Sequence, residues 1–274
     1  MAYPATDVRR VQPATATDES HPEPQAPMNI VRPVHPLLAQ LERSLALSAA
    51  ERSAIGELPV RIASVASEDL IHREGDRPTA CFLIVEGLVS TSKVTAAGRR
   101  QIMSFHVPGD MPDLMGLKLG MLVFDVLAVS DCQLVFVDHG PLRKLCRQHP
   151  SLAAYFWRHS LVTGSIFQEW VINVGQRRAD SRLAHLFCEM MTKMDAAGLA
   201  DDGRCDLPLT QAHLSAATGL SLVHVNRTLQ GLRKRGLLSF ANGALTIHDW
   251  DALVQLAEFR PEYLYILAGA PQPA

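Results

Sequence analysis

The chain has 274 residues, 47% of them hydrophobic, which is enough for two compact domains with their own cores. Its formal net charge is −2, so attraction to a polyanion would require a locally basic segment. None of the hydrophobic stretches is apolar enough to span a bilayer. The first residues lack the apolar run of a signal peptide, and the five cysteines form no CxxC pair. We therefore expect a soluble, cytoplasmic protein from a reducing compartment, with no membrane partner.

The N-terminal region predicts a tail followed by two short helices. Residues 1–33 contain six prolines and few bulky apolar residues, which is the composition of a disordered tail. Short helices are predicted at 35–47 and 48–56. The second helix starts after Ser48 and has Glu51 three residues later, which is the pattern of a capping box.

The next region has the pattern of a small antiparallel β-domain. Short segments rich in β-branched and aromatic residues alternate with glycine turns. The predicted strands are 61–65, 81–86, 89–94, 101–107 and 134–137, with a longer uncertain stretch at 121–129. Regular short strands separated by such turns indicate a sandwich or jelly roll.

A long helix is predicted from Pro150 to about Val174. Seven of its positions follow the alternating four- and three-residue spacing of a two-stranded coiled coil, which predicts a dimer seam. They are Leu152, Phe156, His159, Thr163, Ile166, Trp170 and Asn173. A second apolar stripe that includes Leu161 and Val171 gives the helix two apolar faces, for which we expect the chain's own β-domain and another subunit as partners. Burial of the helix wholly within one chain is the alternative.

A further helix at about 179–197 leads to the most informative segment of the chain, which runs from Leu209 to His248. Thr210 and Ser221 each precede a helical pattern and can cap it, and Gly219 between the two helices supplies the left-handed conformation of a tight turn. The apolar positions of the second helix fall at i, i+4 and i+7; they are Val225, Leu229 and Leu232. Such a pattern predicts a helix-turn-helix, and an ordinary helical hairpin is the alternative.

Turn chemistry and charge extend this interpretation. The sequence around Asn242-Gly243 alternates between apolar and polar residues, which predicts a β-hairpin wing. Between Leu207 and His248 there is no acidic residue, while four residues are basic: Arg227, Arg233, Lys234 and Arg235. A segment of charge +4 in a chain of charge −2 is what attraction to DNA phosphates requires.

The order of these elements, together with four sequence segments, resembles the Crp/Fnr superfamily of bacterial transcription regulators. The segments are REGDRPTACFLIVEGLVS from Arg73, the PGD turn at Pro108, RRADSRLAHLFCEM from Arg177 and LTQAHLSAATGLSLVHVNRTLQGLRKRGLL from Leu209. The resemblance implies an α+β fold with an N-terminal antiparallel β-roll (a jelly roll like a cyclic-nucleotide-binding domain), a long dimerisation helix and a C-terminal winged helix-turn-helix.

The resemblance also implies how the chain is divided and what it binds. The implied domains are a tail at 1–33, a β-roll at 34–149, a dimerisation helix at 150–176, a DNA-binding domain at 177–262 and a second tail at 263–274. The implied partners are double-stranded DNA at a palindromic promoter site, a second copy of the chain as homodimer partner, and RNA polymerase. Two recognition helices about 34 Å apart would read the two half-sites.

By position, the family's phosphate contacts fall on Gln211 and Ser221, and its base-reading positions fall on Leu222, Val223, Asn226 and Arg227. The exposed face of the second helix and its cap add Thr210, His224 and Gln230 as candidate DNA contacts. The guanidinium of Arg227 suits guanine O6 and N7. Many members carry Arg-Glu where this chain has Leu222-Val223, so its base preference should differ, with Val223 packing on a thymine methyl. His224 either reaches DNA or is a solvated helix residue.

No cofactor is expected in the β-roll. No arginine occurs between Arg100 and Arg143, and a buried cyclic phosphate without a cation is costly, so cyclic nucleotide control is not expected. An iron–sulfur cluster lacks its cysteines, since none precedes Cys81, and the roll lacks the ligand spacing of a metal-binding jelly roll. A haem would have four candidate ligands: His72, Cys81, Met103 and His106.

Cys205 is expected to be an unremarkable loop cysteine, because acidic neighbours at 201, 202 and 206 oppose thiolate formation; a redox switch there is the alternative. The main hypothesis is thus a dimeric, sequence-specific transcription regulator. The alternatives are a regulator that responds to haem, another small molecule or oxidation, a regulator that acts through protein contacts, and a cupin-like enzyme. The enzyme is disfavoured, since the chain shows no metal triad, nucleophile elbow, phosphate loop or paired carboxylates.

Overall fold

Short strands in the first half of the chain form a β-roll in the computed structural model, which describes residues 35–266. The predicted tail at 1–33 and most of that at 263–274 therefore lie outside the described residues. Two helices, α1 (Pro36–Ser44) and α2 (Ala49–Gly56), come first. Ser48 and Glu51 form the predicted capping box, in which the Ser48 hydroxyl accepts from the Glu51 N–H and the Glu51 carboxylate accepts from the Ser48 N–H.

The roll consists of two antiparallel sheets. Its elements are β1 (Val60–Val65), β2 (Leu70–His72), β3 (Ala80–Glu86), β4 (Val89–Val94), β5 (Arg100–His106), α3 (Gly116–Leu119), β6 (Asp125–Ala128) and β7 (Cys132–Asp138). One sheet has the order β1-β7-β3 and the other β2-β6-β4-β5. All five predicted strands are confirmed, the uncertain stretch at 121–129 contains β6, and β2 and α3 were not predicted. Both are too short to show a periodic pattern.

The second half of the described chain is mostly helical. Its elements are α4 (His139–Gln148), α5 (Pro150–Gly175), α6 (Ala179–Ala196), β8 (Ala200–Asp201), β9 (Arg204–Asp206), α7 (Gln211–Thr218), α8 (Leu222–Lys234), β10 (Leu238–Ala241), β11 (Ala244–Ile247), α9 (Trp250–Ala257) and a 3₁₀ helix (Pro261–Leu264). We call residues 179–264 the C-terminal region. In residues 35–266 no helix combines the length and the apolar character needed to cross a bilayer.

Three apolar clusters hold these elements together. One fills the inside of the roll around Phe82, and a second joins the roll to α1, α2, α4 and the start of α5. The third cluster crosses from the roll to the C-terminal region, because Ile102 and Phe105 of β5 belong to it together with Trp170 and Phe187. Each fully buried side chain of this size contributes about 1.5–3 kcal/mol to stability, so this shared core ties the two regions together.

The structure corrects the predicted dimer seam. Leu152 and Phe156 are buried in the second cluster, and Ile166 and Trp170 are buried in the third. The three polar members also contact their own chain: His159 accepts from the Met111 N–H, the Thr163 hydroxyl donates to the His159 carbonyl, and the buried Asn173 amide donates to the Arg182 carbonyl.

Five of these seven residues are buried by their own chain, so the prediction that this stripe faces a second subunit is wrong for them; His159 and Thr163 are half-buried. A four-three spacing identifies the side of a helix that packs against other residues, and here those residues belong to the same chain. The apolar positions that α5 exposes lie elsewhere, with Trp157 69%, Leu161 60% and Val171 67% exposed. The alternative of a helix buried within one chain is wrong as well.

Polar contacts also join the roll to the C-terminal region. The buried Lys193 of α6 donates to the Phe105 carbonyl at 2.6 Å, and its Nζ lies 3.4 Å from the Asp110 carboxylate in the PGD turn. Burial, the largest single cause, would raise the pKa of Asp110. The charge of Lys193, two nearby histidines and a backbone N–H hydrogen bond together outweigh it and hold that pKa below its ordinary value. The Gln101 amide donates to the Ala217 carbonyl at 3.0 Å, which fixes α7 against β5.

The segment after α9 returns to α5. The Tyr263 hydroxyl donates to the buried Glu189 carboxylate at 2.7 Å, and the Trp170 indole N–H donates to both oxygens of the same carboxylate at 3.0 Å. Ser165 of α5 donates to the Tyr263 carbonyl at 2.7 Å. These bonds satisfy a carboxylate whose pKa burial raises, and they hold α5, α6 and the 3₁₀ helix in one arrangement.

Candidate nucleic-acid interface

The two helices of the predicted helix-turn-helix are capped as their sequence predicts. Thr210 caps α7 through a reciprocal pair, in which its hydroxyl accepts from the His213 N–H and the His213 Nδ1 accepts from the Thr210 N–H. The Ser221 hydroxyl caps α8 by accepting from the His224 N–H at 3.3 Å. Since both hydroxyl oxygens act as acceptors in the caps, their O–H protons remain available to donate to a phosphate.

Gly219 joins the two helices. Its φ of +68° is the left-handed conformation that the sequence predicts for this turn, and it ends α7. The Ser215 hydroxyl donates to the Leu220 carbonyl at 2.6 Å, and the Arg182 guanidinium donates to the Thr218 carbonyl at 2.6 Å. These contacts fix the angle between α7 and α8.

The two faces of α8 differ as predicted. Val225 and Leu232 are buried in the shared core, and Leu229 packs against it. The opposite face is open to solvent, with Val223 80% and Leu222 43% exposed, and with His224 half-buried at its edge. Exposed polar side chains complete this face: Asn226, Arg227 and Gln230.

An amide pair on this surface was not foreseen from the sequence. The Asn226 Nδ2 donates to Gln211 Oε1 at 2.7 Å, so a side chain at the start of α7 holds one in the first half of α8. The two residues are 15 positions apart, and only the helix-turn-helix geometry brings them together. The bond leaves the Asn226 carbonyl oxygen free to accept and the Gln211 amino group free to donate.

The predicted wing is a hairpin of β10 and β11. Its two turn residues, Asn242 and Gly243, have φ of 51° and 73°, the conformation that tight two-residue hairpins require. Two further strands that the sequence analysis missed extend the sheet in the order β10-β11-β9-β8. β8 and β9 have only two and three residues, too few for a strand pattern.

Cys205 lies in β9 and is buried, rather than lying in a loop. Burial raises the pKa of its thiol to about 11, with a smaller contribution from the nearby charge of Asp206. The thiol is thus protonated at neutral pH, which disfavours attack by oxidants.

The basic side chains of the acid-free segment are exposed around α8. Arg227, Arg233 and Lys234 lie on the surface of the helix, and Arg235 follows it, with its guanidinium 3.7 Å from the Asp180 carboxylate. The guanidinium of Arg233 also donates to the Phe240 carbonyl at the wing. The positive charge of this segment is therefore carried by α8 and the residue that follows it, which makes this helix suited to phosphate.

The candidate haem ligands of the roll have neighbours within their own chain. His106 is buried, lies within hydrogen-bond distance of the Thr91 hydroxyl, and has its pKa lowered to about 3 by burial and by the charge of Lys193. The Cys81 sulfur lies 3.2 Å from the His139 ring, and His72 lies 3.3 Å from the buried Asp113 carboxylate.

Met103, the fourth candidate ligand, packs into the cluster inside the roll. Within 35–266 no three His, Cys, Asp or Glu side chains are grouped so that they could hold a metal ion. His72, Cys81 and His106 thus each lie against a polar group of their own chain.

Comparisons with known proteins agree with this architecture. Residues 62–149 match the cyclic nucleotide-binding domain, and residues 181–256 match the Crp-like helix-turn-helix domain. The chain is 27% identical to the nitrogen fixation regulation protein FixK of Azorhizobium caulinodans over 177 residues, which is 64% of this chain and 70% of that protein. It is 24% identical to the fumarate and nitrate reduction regulatory protein of Escherichia coli over 189 residues, 68% of this chain and 74% of that protein.

Among solved structures, FixK2 from Bradyrhizobium japonicum superimposes with a TM-score of 0.66 at 25% identity, covering 73% of this chain and 98% of that one. A Crp/Fnr-family regulator from Thermus thermophilus superimposes with a TM-score of 0.57 at 19% identity, covering 73% of this chain and all of that one. The second likeness concerns the fold alone.

Proposed function

Because the chain belongs to the Crp/Fnr family of transcription regulators, we propose that it acts as a homodimer on a palindromic promoter site, with one α8 in the major groove at each half-site. It is a DNA-binding regulator of transcription and not an enzyme, in line with its relatives. The division at 34–149, 150–176 and 177–262 is part of this proposal, as is contact with RNA polymerase in the cytoplasm.

The observation that carries the proposal is the exposed face of α8 within an acid-free segment. Arg227 presents a planar fork that can donate two hydrogen bonds to guanine O6 and N7, and Val223 presents methyl groups that suit a thymine methyl. Asn226, held by Gln211, presents an acceptor to a neighbouring base. Leu222, His224 and Gln230 border these base contacts.

Phosphate contacts position α8 in the groove. We assign them to Thr210, Gln211 and Ser221, at the beginnings of α7 and α8, where free N–H groups and the helix dipoles favour an anion. These contacts carry no sequence information themselves, but they set the register in which Arg227 meets its base.

The dimer seam that we propose is the outer stripe of α5, defined as Trp157, Leu161, Gly164, Gln168 and Val171. These positions repeat the four-three spacing on the side of the helix opposite the corrected seam, and its apolar members are exposed. Parallel pairing of two such helices would place the two DNA-binding domains side by side, as a two-fold symmetric site requires.

The test is selection of bound duplexes from a random pool, followed by binding measurements over a range of salt concentrations. We expect a palindromic consensus and a steep salt dependence. Arg227→Ala should cost about 1–3 kcal/mol on the selected site and relax the preference at one base pair of each half-site. Arg143→Ala, an exposed arginine of α4 in the roll, is the matched control and should bind like the wild type.

An equal loss for Arg227→Ala on unrelated duplexes would remove its base-reading role. Absence of any bound duplex at low salt would contradict the proposed function itself. Addition of cyclic AMP or cyclic GMP should leave the affinity unchanged, since the described roll has no arginine at the position of a cyclic phosphate.

A further inference from the structure

A cavity of about 500 Å³ opens on the C-terminal region between α6, α9 and the β8–β9 hairpin. Its walls are mainly apolar, and its lining includes Met191, Ile247, Trp250, Val254, Phe259 and Pro261. Trp250 is 40% exposed, and its ring lies 6.3 Å from that of Phe259 in an edge-to-face arrangement. An exposed tryptophan beside an open apolar cavity is typical of a binding hot spot. We call this feature the α6–α9 cavity.

Exposed carboxylates accompany the lining of the α6–α9 cavity. Asp195 lines it, and further carboxylates directly neighbour lining residues in the sequence: Asp201, Asp202, Asp251, Glu258 and Glu262. All six are exposed, and within residues 35–266 none of them has a basic side chain in ion-pair distance. Lys193, Arg204 and Arg260 are the basic residues that directly neighbour the lining in the sequence. Lys193 is buried against Asp110, so the exposed charges next to the cavity remain negative in sum.

We propose that the α6–α9 cavity receives an apolar side chain carried on a basic segment of a partner protein. A small cation would neutralise one carboxylate. Asp195 at the cavity and five exposed carboxylates next to its lining residues in the sequence give this surface an acidic character, which matches a segment with lysines and arginines around an apolar anchor. DNA is unsuited to this surface because its carboxylates repel phosphate.

The position of the cavity allows this partner and DNA to bind together. No residue that lines the cavity belongs to the proposed DNA-contacting set on α7 and α8. α6 packs against both α8 and α9, so it carries the DNA-contacting helix and the cavity on different sides. A basic partner is also suited to DNA that flanks the regulator's own site. The inference that DNA and this partner bind together rests on the proposed function, whereas the inferred occupant of the cavity does not.

The experiment uses the full chain and a fluorescein-labelled peptide, Gly-Lys-Arg-Leu-Arg-Lys-Gly, measured by fluorescence anisotropy with and without the selected duplex. Two control peptides replace the leucine with serine or the four basic residues with glutamate. We expect the leucine peptide to bind at least tenfold more tightly than either control, and with the same affinity when the duplex is present. Trp250→Ala should weaken its binding about tenfold, and Asp195→Asn should weaken it severalfold and reduce its salt dependence.

The matched control is Glu86→Gln, an exposed acid of β3 far from the cavity in sequence, which should change nothing. Unchanged DNA affinity shows that the Trp250→Ala and Asp195→Asn variants are folded. Trp250→Phe, which keeps an aromatic ring at the mouth, should restore most of the binding.

The inference is overturned if the serine peptide binds as well as the leucine peptide, if none of the peptides binds, or if Trp250→Ala binds normally. Displacement of the peptide by the duplex would assign the cavity to the DNA surface, and dissociation of the dimer by the peptide would assign it to a second copy of the chain. Tighter peptide binding after removal of residues 267–274 would assign it to the chain's own end. Each of these results contradicts a protein partner, whereas loss of DNA binding by the wild type would contradict only the proposed function.

Discussion

The β-roll and the helix-turn-helix both carry polar side chains but use them in opposite ways. In the roll, His106, Asp110 and Asp113 are held by groups of their own chain. On α8, Asn226 and Arg227 are exposed and present hydrogen-bonding groups to solvent. Polar groups that satisfy one another hold a fold, and those left facing water on a rigid helix are available to a ligand. The first region therefore serves as a scaffold and the second as a binding surface.

Removing a buried charge of the scaffold should have the largest effect. Lys193→Met leaves the Asp110 carboxylate without its cation and the Phe105 carbonyl without its donor, so we expect a loss of about 3–5 kcal/mol in the free energy of unfolding. Urea denaturation measures it. Lys144→Met removes an exposed lysine of α4 and should stay within about 0.5 kcal/mol of the wild type.

A Lys193→Met variant as stable as the wild type would show that the polar contacts between the roll and the C-terminal region are dispensable. Adding Asp110→Asn to Lys193→Met should recover part of the loss, since the unpaired carboxylate is then removed.

The outer stripe of α5 is the next test, because it is an apolar surface left exposed. Leu161→Glu combined with Val171→Glu places like charges across the proposed seam and should yield monomers in light scattering. DNA affinity should then fall at least about 100-fold, since the second half-site no longer adds to the first. The matched control is Gln148→Glu with Gln176→Glu, two exposed positions outside the stripe that add the same charge. A dimeric Leu161→Glu/Val171→Glu variant would refute this seam.

The amide pair on the binding surface should have a smaller effect. Asn226→Ala and Gln211→Ala should each weaken binding to the selected site by about 1 kcal/mol while leaving thermal stability within about 0.5 kcal/mol of the wild type. Because Gln211 holds Asn226, the double variant should lose less than the sum of the two losses. Additive losses in this double-mutant cycle would show that the two amides act on DNA independently.

The smallest effect is expected at the capping box of α2. Hydrogen bonds from Ser151 and Ser48 lower the pKa of Glu51 to about 2. The carboxylate therefore contributes stability above its ordinary pKa, and that contribution is lost as the pH falls from about 4.5 to about 2. Across this window the wild type should lose slightly more stability than Glu51→Gln, as measured by thermal melting at each pH. Parallel pH profiles would contradict the role of this carboxylate.

Much of the C-terminal region was predictable because its signals are local. The caps Thr210 and Ser221, the left-handed Gly219 and the Asn242-Gly243 turn each act over a few residues, and the structure has all of them where the sequence predicts. The apolar positions of α8 were also assigned correctly, since its one apolar stripe must face the core.

Only the tertiary structure determined which surfaces pack against one another. The sequence of α5 by itself predicts a long helix with two apolar stripes, yet the stripe predicted as the dimer seam packs mainly on its own chain, while Leu161 and Val171 of the second stripe are exposed. The Gln211–Asn226 pair, the contact of Lys193 with the PGD turn and the α6–α9 cavity join residues distant in sequence. Spacing along a chain encodes periodicity and turn chemistry, because these depend on neighbours within about one or two helical turns. The partner of a face depends on how all elements pack, and one element's periodicity does not contain that information.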